Sequence, residues 1–140
     1  MQISARNVIP GSVTSVAKGA VNAEVVLTLR GGETVVAIIT NESADALELR
    51  PGKSAFAIIK ASDVMIGKHL QNAKLSARNI VAGKVAELHE GAVNSEVAVR
   101  LPGGTILIAS ITKASVNALE LKPGDEVSAV VKASHVIVGA

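Results

Sequence analysis

The sequence predicts an all-β protein built as two tandem OB-like small β-barrel units, each of about five strands and one short helix. Three observations carry that prediction. The chain is one unit written twice, since residues 4–68 align with 76–140 without a gap and 31 of the 65 pairs are identical. Strand-length runs rich in Val, Ile and Ala alternate with polar residues and are bounded by Gly and Pro. One segment per copy changes to a helical period, and it is short. Five strands and one helix in about 65 residues is the economy of a small barrel.

The elements follow in order. Residues 3–17 alternate loosely and predict a long strand, kinked or bulged at Pro10-Gly11, because Pro cannot donate to a ladder and Gly tolerates a bulge. Lys18-Gly19 marks a turn. Val21, Ala23, Val25, Leu27 and Leu29 then share one face of a half-buried strand. Gly31-Gly32 signals a two-residue hairpin, and residues 33–40 return as a Val/Ile-rich strand. Residues 41–49 suit a short helix capped by Thr40, Asn41 or Ser43 and stopped by Pro51-Gly52. Residues 54–60 and 62–67 supply the last two strands. The second copy repeats each element. This divides the chain into a first domain at 1–68, a linker at 69–75 and a second domain at 76–140.

Composition narrows the function. The sequence has no cysteine, which excludes disulfides and thiolate metal sites. No apolar run approaches the roughly 20 residues of a membrane span, and Met1-Gln2-Ile3-Ser4 does not open a signal peptide. The expectation is a cytoplasmic protein with no membrane partner. Phe56 is the single aromatic residue and the formal charge is only +2, so base-stacking recognition of single-stranded nucleic acid is not supported. Units of this size bury limited surface, which predicts that the halves pack together and oligomerise.

Catalytic motifs are weak. Gly52-Lys53-Ser54 looks like the end of a phosphate-binding loop, but Leu47 stands where the earlier Gly belongs, and the second copy reads Gly124-Asp125-Glu126. His89-Glu90 lacks the second histidine of a zinc-protease helix, since position 93 is Val. No Ser-His-carboxylate or paired-carboxylate arrangement repeats, so the chain reads as a non-enzyme without a directly bound metal.

The polar residues that both copies keep are more informative. Ser4-Ala5-Arg6-Asn7 returns as Ser76-Ala77-Arg78-Asn79, and Gly19-Ala20-Val21-Asn22 as Gly91-Ala92-Val93-Asn94. Thr40 and Ser43 match Thr112 and Ser115, and Lys60-Ala61-Ser62 matches Lys132-Ala133-Ser134. Nearby polar positions differ, for example Lys53 against Asp125 and Asp63 against His135. Apart from Glu24/Glu96 and Glu48/Glu120, the kept set consists of cations and hydrogen-bond donors, the chemistry of an oxyanion site. The glycine-led turns add successive N–H groups. Each residue also has an ordinary reading: Ser43 as a helix cap, Arg6 and Lys60 as partners of Glu24 or Glu48, Asn7 as a turn holder.

The order and spacing of these words, occurring twice, resemble the molybdate-binding Mop domain and the tandem-Mop molbindins. The resemblance implies a cytoplasmic protein that binds and stores molybdate, and tungstate, with no organic cofactor. It implies a homotrimer with ligands held between units. One kind of pocket would use Ser4, Arg6, Lys60, Ala61 and Ser62 with Thr40 and Ser43 from a neighbouring unit. The second copy would supply Ser76, Arg78, Lys132, Ala133, Ser134, Thr112 and Ser115, and the Gly19–Asn22 and Gly91–Asn94 turns would sit near the symmetry axis. An oxyanion-sensing regulatory module acting through a partner protein is the alternative.

Overall fold

A computed structural model describes residues 1–140. The first copy contains β1 (Asn7–Lys18), β2 (Asn22–Leu29), β3 (Thr34–Thr40), α1 (Asn41–Ala46), β4 (Ser54–Ile59) and β5 (Met65–Gly67). The second contains β6 (Asn79–Glu90), β7 (Asn94–Arg100), β8 (Ile106–Thr112), α2 (Lys113–Ala118), β9 (Glu126–Val131) and β10 (Ile137–Gly139). A single 3₁₀ turn, Ala61–Asp63 or Ala133–His135, precedes the last strand of each copy. The fold is all-β, with the strand count and helix position that the repeat predicts.

The two sheets do not follow the repeat to its end. Their strand orders are β10-β4-β1-β2-β3 and β5-β9-β6-β7-β8. Each copy therefore donates its last strand to the other copy's sheet. Ile137 pairs with Ile58 across β10 and β4, and Met65 pairs with Val130 across β5 and β9. The buried apolar residues accordingly form one core, in which Val25, Leu27 and Ala57 of the first copy join Val97, Val99 and Ala129 of the second. Alternation fills it as expected: along β2, Ala23, Val25, Leu27 and Leu29 are buried while the residues between are half-exposed.

Hairpin tips meet between the copies as well. A Cβ on Gly103 would lie 2.2 Å from the Gly31 Cα, closer than any side chain tolerates. The Gly103 N–H donates to Glu33 Oε1 at 2.7 Å.

Local details depart from the sequence expectations for identifiable reasons. β1 runs through Pro10-Gly11 without a break, and its bulge falls between Val13 and Ser15. Pairing with β2 begins only at Gly11↔Leu29, so Pro10 is paired with β4 alone and its missing donor costs β2 no ladder bond. Gly11 is needed for close approach, since a Cβ there would sit 2.5 Å from the Thr28 carbonyl oxygen. The Gly31-Gly32 connection is longer than two residues, closed by Leu29 N–H to Glu33 O at 2.8 Å and Gly32 N–H to Leu29 O at 2.9 Å.

The helices end before Pro51 and Pro123. The Glu48 N–H donates to Asp45 O and the Leu49 N–H to Ala44 O, which is the paired closure of a left-handed helix cap. Glu48 and its counterpart Glu120 hold φ of 51°, a conformation that glycine adopts at lower cost. Glu48→Gly and Glu120→Gly are each expected to stabilise the fold by about 0.5–1 kcal/mol, net of the extra freedom glycine gives the unfolded chain. Urea unfolding of the variants checks this, and a lowered midpoint would contradict it.

Candidate oxyanion site

The residues kept in both copies gather in two places per copy. At one end of each sheet, Asn22 pairs in register with Thr40, and Asn94 with Thr112, so each Gly-Ala-Val-Asn turn lies beside a helix start. The turns are closed by Gly19 N–H to Asn22 O at 2.7 Å and Gly91 N–H to Asn94 O at 3.0 Å. The next backbone N–H on each helix binds the turn, Asn41 to Val21 O and Lys113 to Val93 O, both at 2.8 Å. The N–H groups of Ala20, Val21, Ala92 and Val93 donate to no partner within the chain, and these residues are exposed, so they are successive free donors. Val21 and Val93 lie in these turns, 70% and 73% exposed, and do not join the buried face that alternation assigned to Val21.

Thr40 and Thr112 cap the helices. The Ser43 N–H donates to Thr40 Oγ1 at 3.0 Å and the Ser115 N–H to Thr112 Oγ1 at 3.0 Å. Each threonine hydroxyl in turn donates to the serine hydroxyl, at 2.8 Å and 2.9 Å. The cap reading and the ligand reading are compatible here, because the serine hydroxyl proton remains free to point outward.

The second place brings the ends of the unit together. Asn7 pairs with Ile59 across β1 and β4, which sets Ser4, Ala5 and Arg6 beside Lys60, Ala61 and Ser62. Asn79 pairs with Val131, which does the same for Ser76, Ala77, Arg78, Lys132, Ala133 and Ser134. The hydroxyls of Ser4, Ser62, Ser76 and Ser134 are exposed and bond to nothing in the chain, and Lys60 and Lys132 make no ion pair. Each 3₁₀ turn packs on the opposite copy, Ala61–Asp63 against β8 and Ala133–His135 against β3. The turns also approach each other, with His135 Nδ1 3.7 Å from Asp63 Oδ1.

Arg6 and Arg78 reach across the copies. Arg6 pairs with Glu96, and Arg78 binds Glu24 through two hydrogen bonds of 2.8 Å and 3.1 Å. The two shared glutamates thus find their partners in the opposite copy, a pairing the sequence could not orient. Glu96 lies opposite Ser110, two residues along from the Asn94–Thr112 pair, or roughly 7 Å at strand spacing. The Ser4–Arg6 and Lys60–Ser62 cluster of one copy therefore sits near the turn-and-cap cluster of the other. With Arg6 and Arg78 partnered by carboxylates, Lys60 and Lys132 are the uncompensated cations of these clusters.

The hydrogen bond from Arg78 holds the Glu24 carboxyl below its usual range, aided by the arginine's charge and opposed by partial desolvation; the same bond raises Arg78. A carboxyl lowered in this way stabilises the fold above the ordinary carboxylate range and loses that contribution as the pH falls through its folded value. Glu24→Gln should therefore be less stable than the native chain at neutral pH, with the gap closing in acid. Urea midpoints from about pH 7 down to about pH 3 test the sign, and a gap that widens in acid would refute it.

Two of the predicted ligands have another role. Asn7 and Asn79 are 2% and 4% exposed. The Asn7 amide donates to Ile108 O at 2.8 Å and Ile59 O at 3.2 Å, and its Oδ1 accepts from the Ile108 N–H at 2.7 Å. Asn79 repeats this on β3, donating to Val36 O at 2.8 Å and accepting from the Val36 N–H at 2.7 Å. Their amides mimic one rung of a β-ladder between the copies. Burial and these partners commit both amides to holding the two copies together.

Comparison with known proteins agrees with this architecture. Residues 3–66 and 75–138 each match the TOBE domain. The molybdenum-pterin-binding protein MopA of Rhodobacter capsulatus is 44% identical over 137 residues, covering 98% of this chain and 52% of MopA. The molybdenum transport protein ModE of Herbaspirillum seropedicae is 39% identical over 138 residues, covering 99% of this chain and 51% of ModE. The chain thus spans about half the length of these curated relatives. A solved structure of the cytoplasmic molybdate-binding protein ModG, with molybdate bound, superposes with a TM-score of 0.96 at 48% identity, covering 100% of this chain and 99% of ModG. With both copies matched along nearly their whole length, the chain belongs to the TOBE-domain family and carries two such domains in tandem, as the Mop resemblance implied.

Proposed function

We propose that the chain binds molybdate, and tungstate, as a non-catalytic store in the cytoplasm, assembled as a homotrimer. The observation that carries this reading is the duplicated set of cations and donors, its lysines and the Ser4, Ser62, Ser76 and Ser134 hydroxyls without partners in the chain, on a fold that superposes closely on molybdate-bound ModG. Molybdate is a tetrahedral dianion at neutral pH. Lys60, Arg6, Ser4, Ser62 and the backbone around Ala61 complement its oxygens, with Thr112 and Ser115 or their equivalents in a neighbouring chain. The other pocket takes Lys132, Arg78, Ser76, Ser134 and Ala133 from the second copy, with Thr40 and Ser43 of the first copy or their equivalents in a neighbouring chain. Charge-assisted hydrogen bonds are roughly twice as strong as neutral ones, so the lysines and arginines dominate the affinity. Sulfate carries the same charge, so its exclusion rests on its smaller size.

Exposed apolar residues at equivalent positions support assembly. Val8 and Ile80 are 37% and 40% exposed, and Met65 and Ile137 are 49% and 54%. With Val21 and Val93 they offer matched patches for contact between chains. The free N–H groups of the Gly19–Asn22 and Gly91–Asn94 turns suit anion contacts near the assembly axis. Native mass spectrometry with molybdate, against sulfate, tests the proposal. The expected result is a trimer taking up several molybdates and no sulfate; an oligomer that takes up neither would refute it.

The chain's match to only half of its curated relatives favours a second reading, an oxyanion-sensing module whose occupancy is read by a partner protein or a further domain. A partner captured only in the presence of molybdate would support it.

A further inference from the structure

A cavity of about 980 Å³ lies away from the oxyanion clusters, between the outer face of the second sheet and the linker at 69–75. We infer that it is a second binding site, for a compact organic anion: a phosphate or carboxylate carried on an apolar body. The argument starts from strand register. Arg100 lies opposite Lys84 across β7 and β6, and Lys84 lies opposite Glu126 across β6 and β9. Two like charges in directly opposed positions repel, a placement that strands ordinarily avoid. Neither Lys84 nor Arg100 makes an ion pair or side-chain hydrogen bond within the chain. Both line the cavity. With Glu126 as the one carboxylate on the row, the row carries a net charge of +1.

The site belongs to the second copy alone. At the equivalent positions the first copy has Ser12, Thr28 and Ser54, which line a smaller cavity of about 430 Å³, and the Thr28 hydroxyl is hydrogen-bonded to that of Thr14. The linker forms the added wall. It is held by Lys68, whose Nζ lies 3.1 Å from Asp125 Oδ2 and donates to Glu120 O at 3.3 Å. His69 follows in the left-handed conformation, φ 57°, and Leu70 is seated so closely on Gly67 that a Cβ there would meet its Cδ1 at 2.5 Å. A fixed wall, a strained non-glycine residue and a pair of cations in excess over one carboxylate are the features of a ligand pocket of small-molecule size.

Leu70, Ala73 and Ala82 supply apolar wall, which gives an organic body the contact that a bare inorganic anion cannot use. Glu126 further disfavours a small free dianion. The occupant is thus an anion with an apolar part, chemically distinct from the oxyanion proposed for the clusters above.

Fluorescence titration with 8-anilinonaphthalene-1-sulfonate, in saturating molybdate, tests this on the full chain. The expected result is saturable binding at one probe per chain, displaced by phenyl phosphate or benzoate and not by inorganic phosphate or phenol. Lys84→Ser/Arg100→Thr, which installs the first copy's residues, should weaken binding at least tenfold while leaving molybdate uptake intact. Leu70→Ser keeps both cations and should also weaken the probe, so the inference stays testable if the double variant does not fold. Absent binding, binding indifferent to these substitutions, or equal displacement by inorganic phosphate would each overturn it.

Discussion

Asn7→Ala combined with Asn79→Ala is expected to destabilise the protein by about 3 kcal/mol per site. Each asparagine is buried and fills one rung between a strand of its own copy and a strand of the other. Truncating Asn7 leaves the part-buried Ile108 N–H and C=O without partners, and an orphaned buried group costs about 1–3 kcal/mol. The same holds for Val36 opposite Asn79. Two such losses approach the whole stability of an ordinary domain, about 5–15 kcal/mol. Asn→Asp at either position keeps the shape but loses the donor and places a charge at a buried site, so it should be no better tolerated. Urea unfolding gives the answer directly: a midpoint shift equivalent to less than about 1 kcal/mol per site would show that these amides are dispensable.

These asparagines also show how far the sequence could be read. Strands β2 and β3, their alternation and the short helix after Thr40 were legible because period-2 burial and a capping threonine leave local marks. That Asn7 was kept in both copies was legible too. Its role was not, because a ligand and a buried staple leave the same mark in a repeat. The exchange of β5 and β10 was illegible for a related reason. Met65-Ile66-Gly67 and Ile137-Val138-Gly139 are near-equivalent, as are β4 and β9, so pairing within a copy and pairing across copies satisfy the same local pattern. In the structure each preceding 3₁₀ turn packs on the opposite copy, which leads the strand after it across. Pro10-Gly11 misled because a proline's effect depends on which neighbour is present at that rung, a fact of sheet layout rather than of sequence. Glu24 and Glu96 were visible as the exceptions in a set of donors and cations, and that oddity was the available sign that they partner arginines.

The glutamate pairing changes what removal of an arginine should do. Arg6→Ala/Arg78→Ala is expected to weaken molybdate binding on the order of 10–100-fold at each affected pocket, the range for one lost charge-assisted hydrogen bond. The truncation also releases the carboxylates of Glu96 and Glu24 beside a dianion. Part of the loss is then repulsion rather than a missing contact. If so, adding Glu96→Gln and Glu24→Gln to the arginine variants should recover a measurable share of the affinity, although no donor has been restored. Lys60→Ala/Lys132→Ala should show no such rescue, since neither lysine has a carboxylate partner to release. Isothermal titration with molybdate at two ionic strengths separates these terms, because repulsion between exposed charges is screened by salt and a lost hydrogen bond is not. A quadruple variant no better than the arginine pair would mean that the glutamates only hold the arginines in place. Unchanged affinity in the arginine pair itself would remove Arg6 and Arg78 from the site and leave them as ties between the copies.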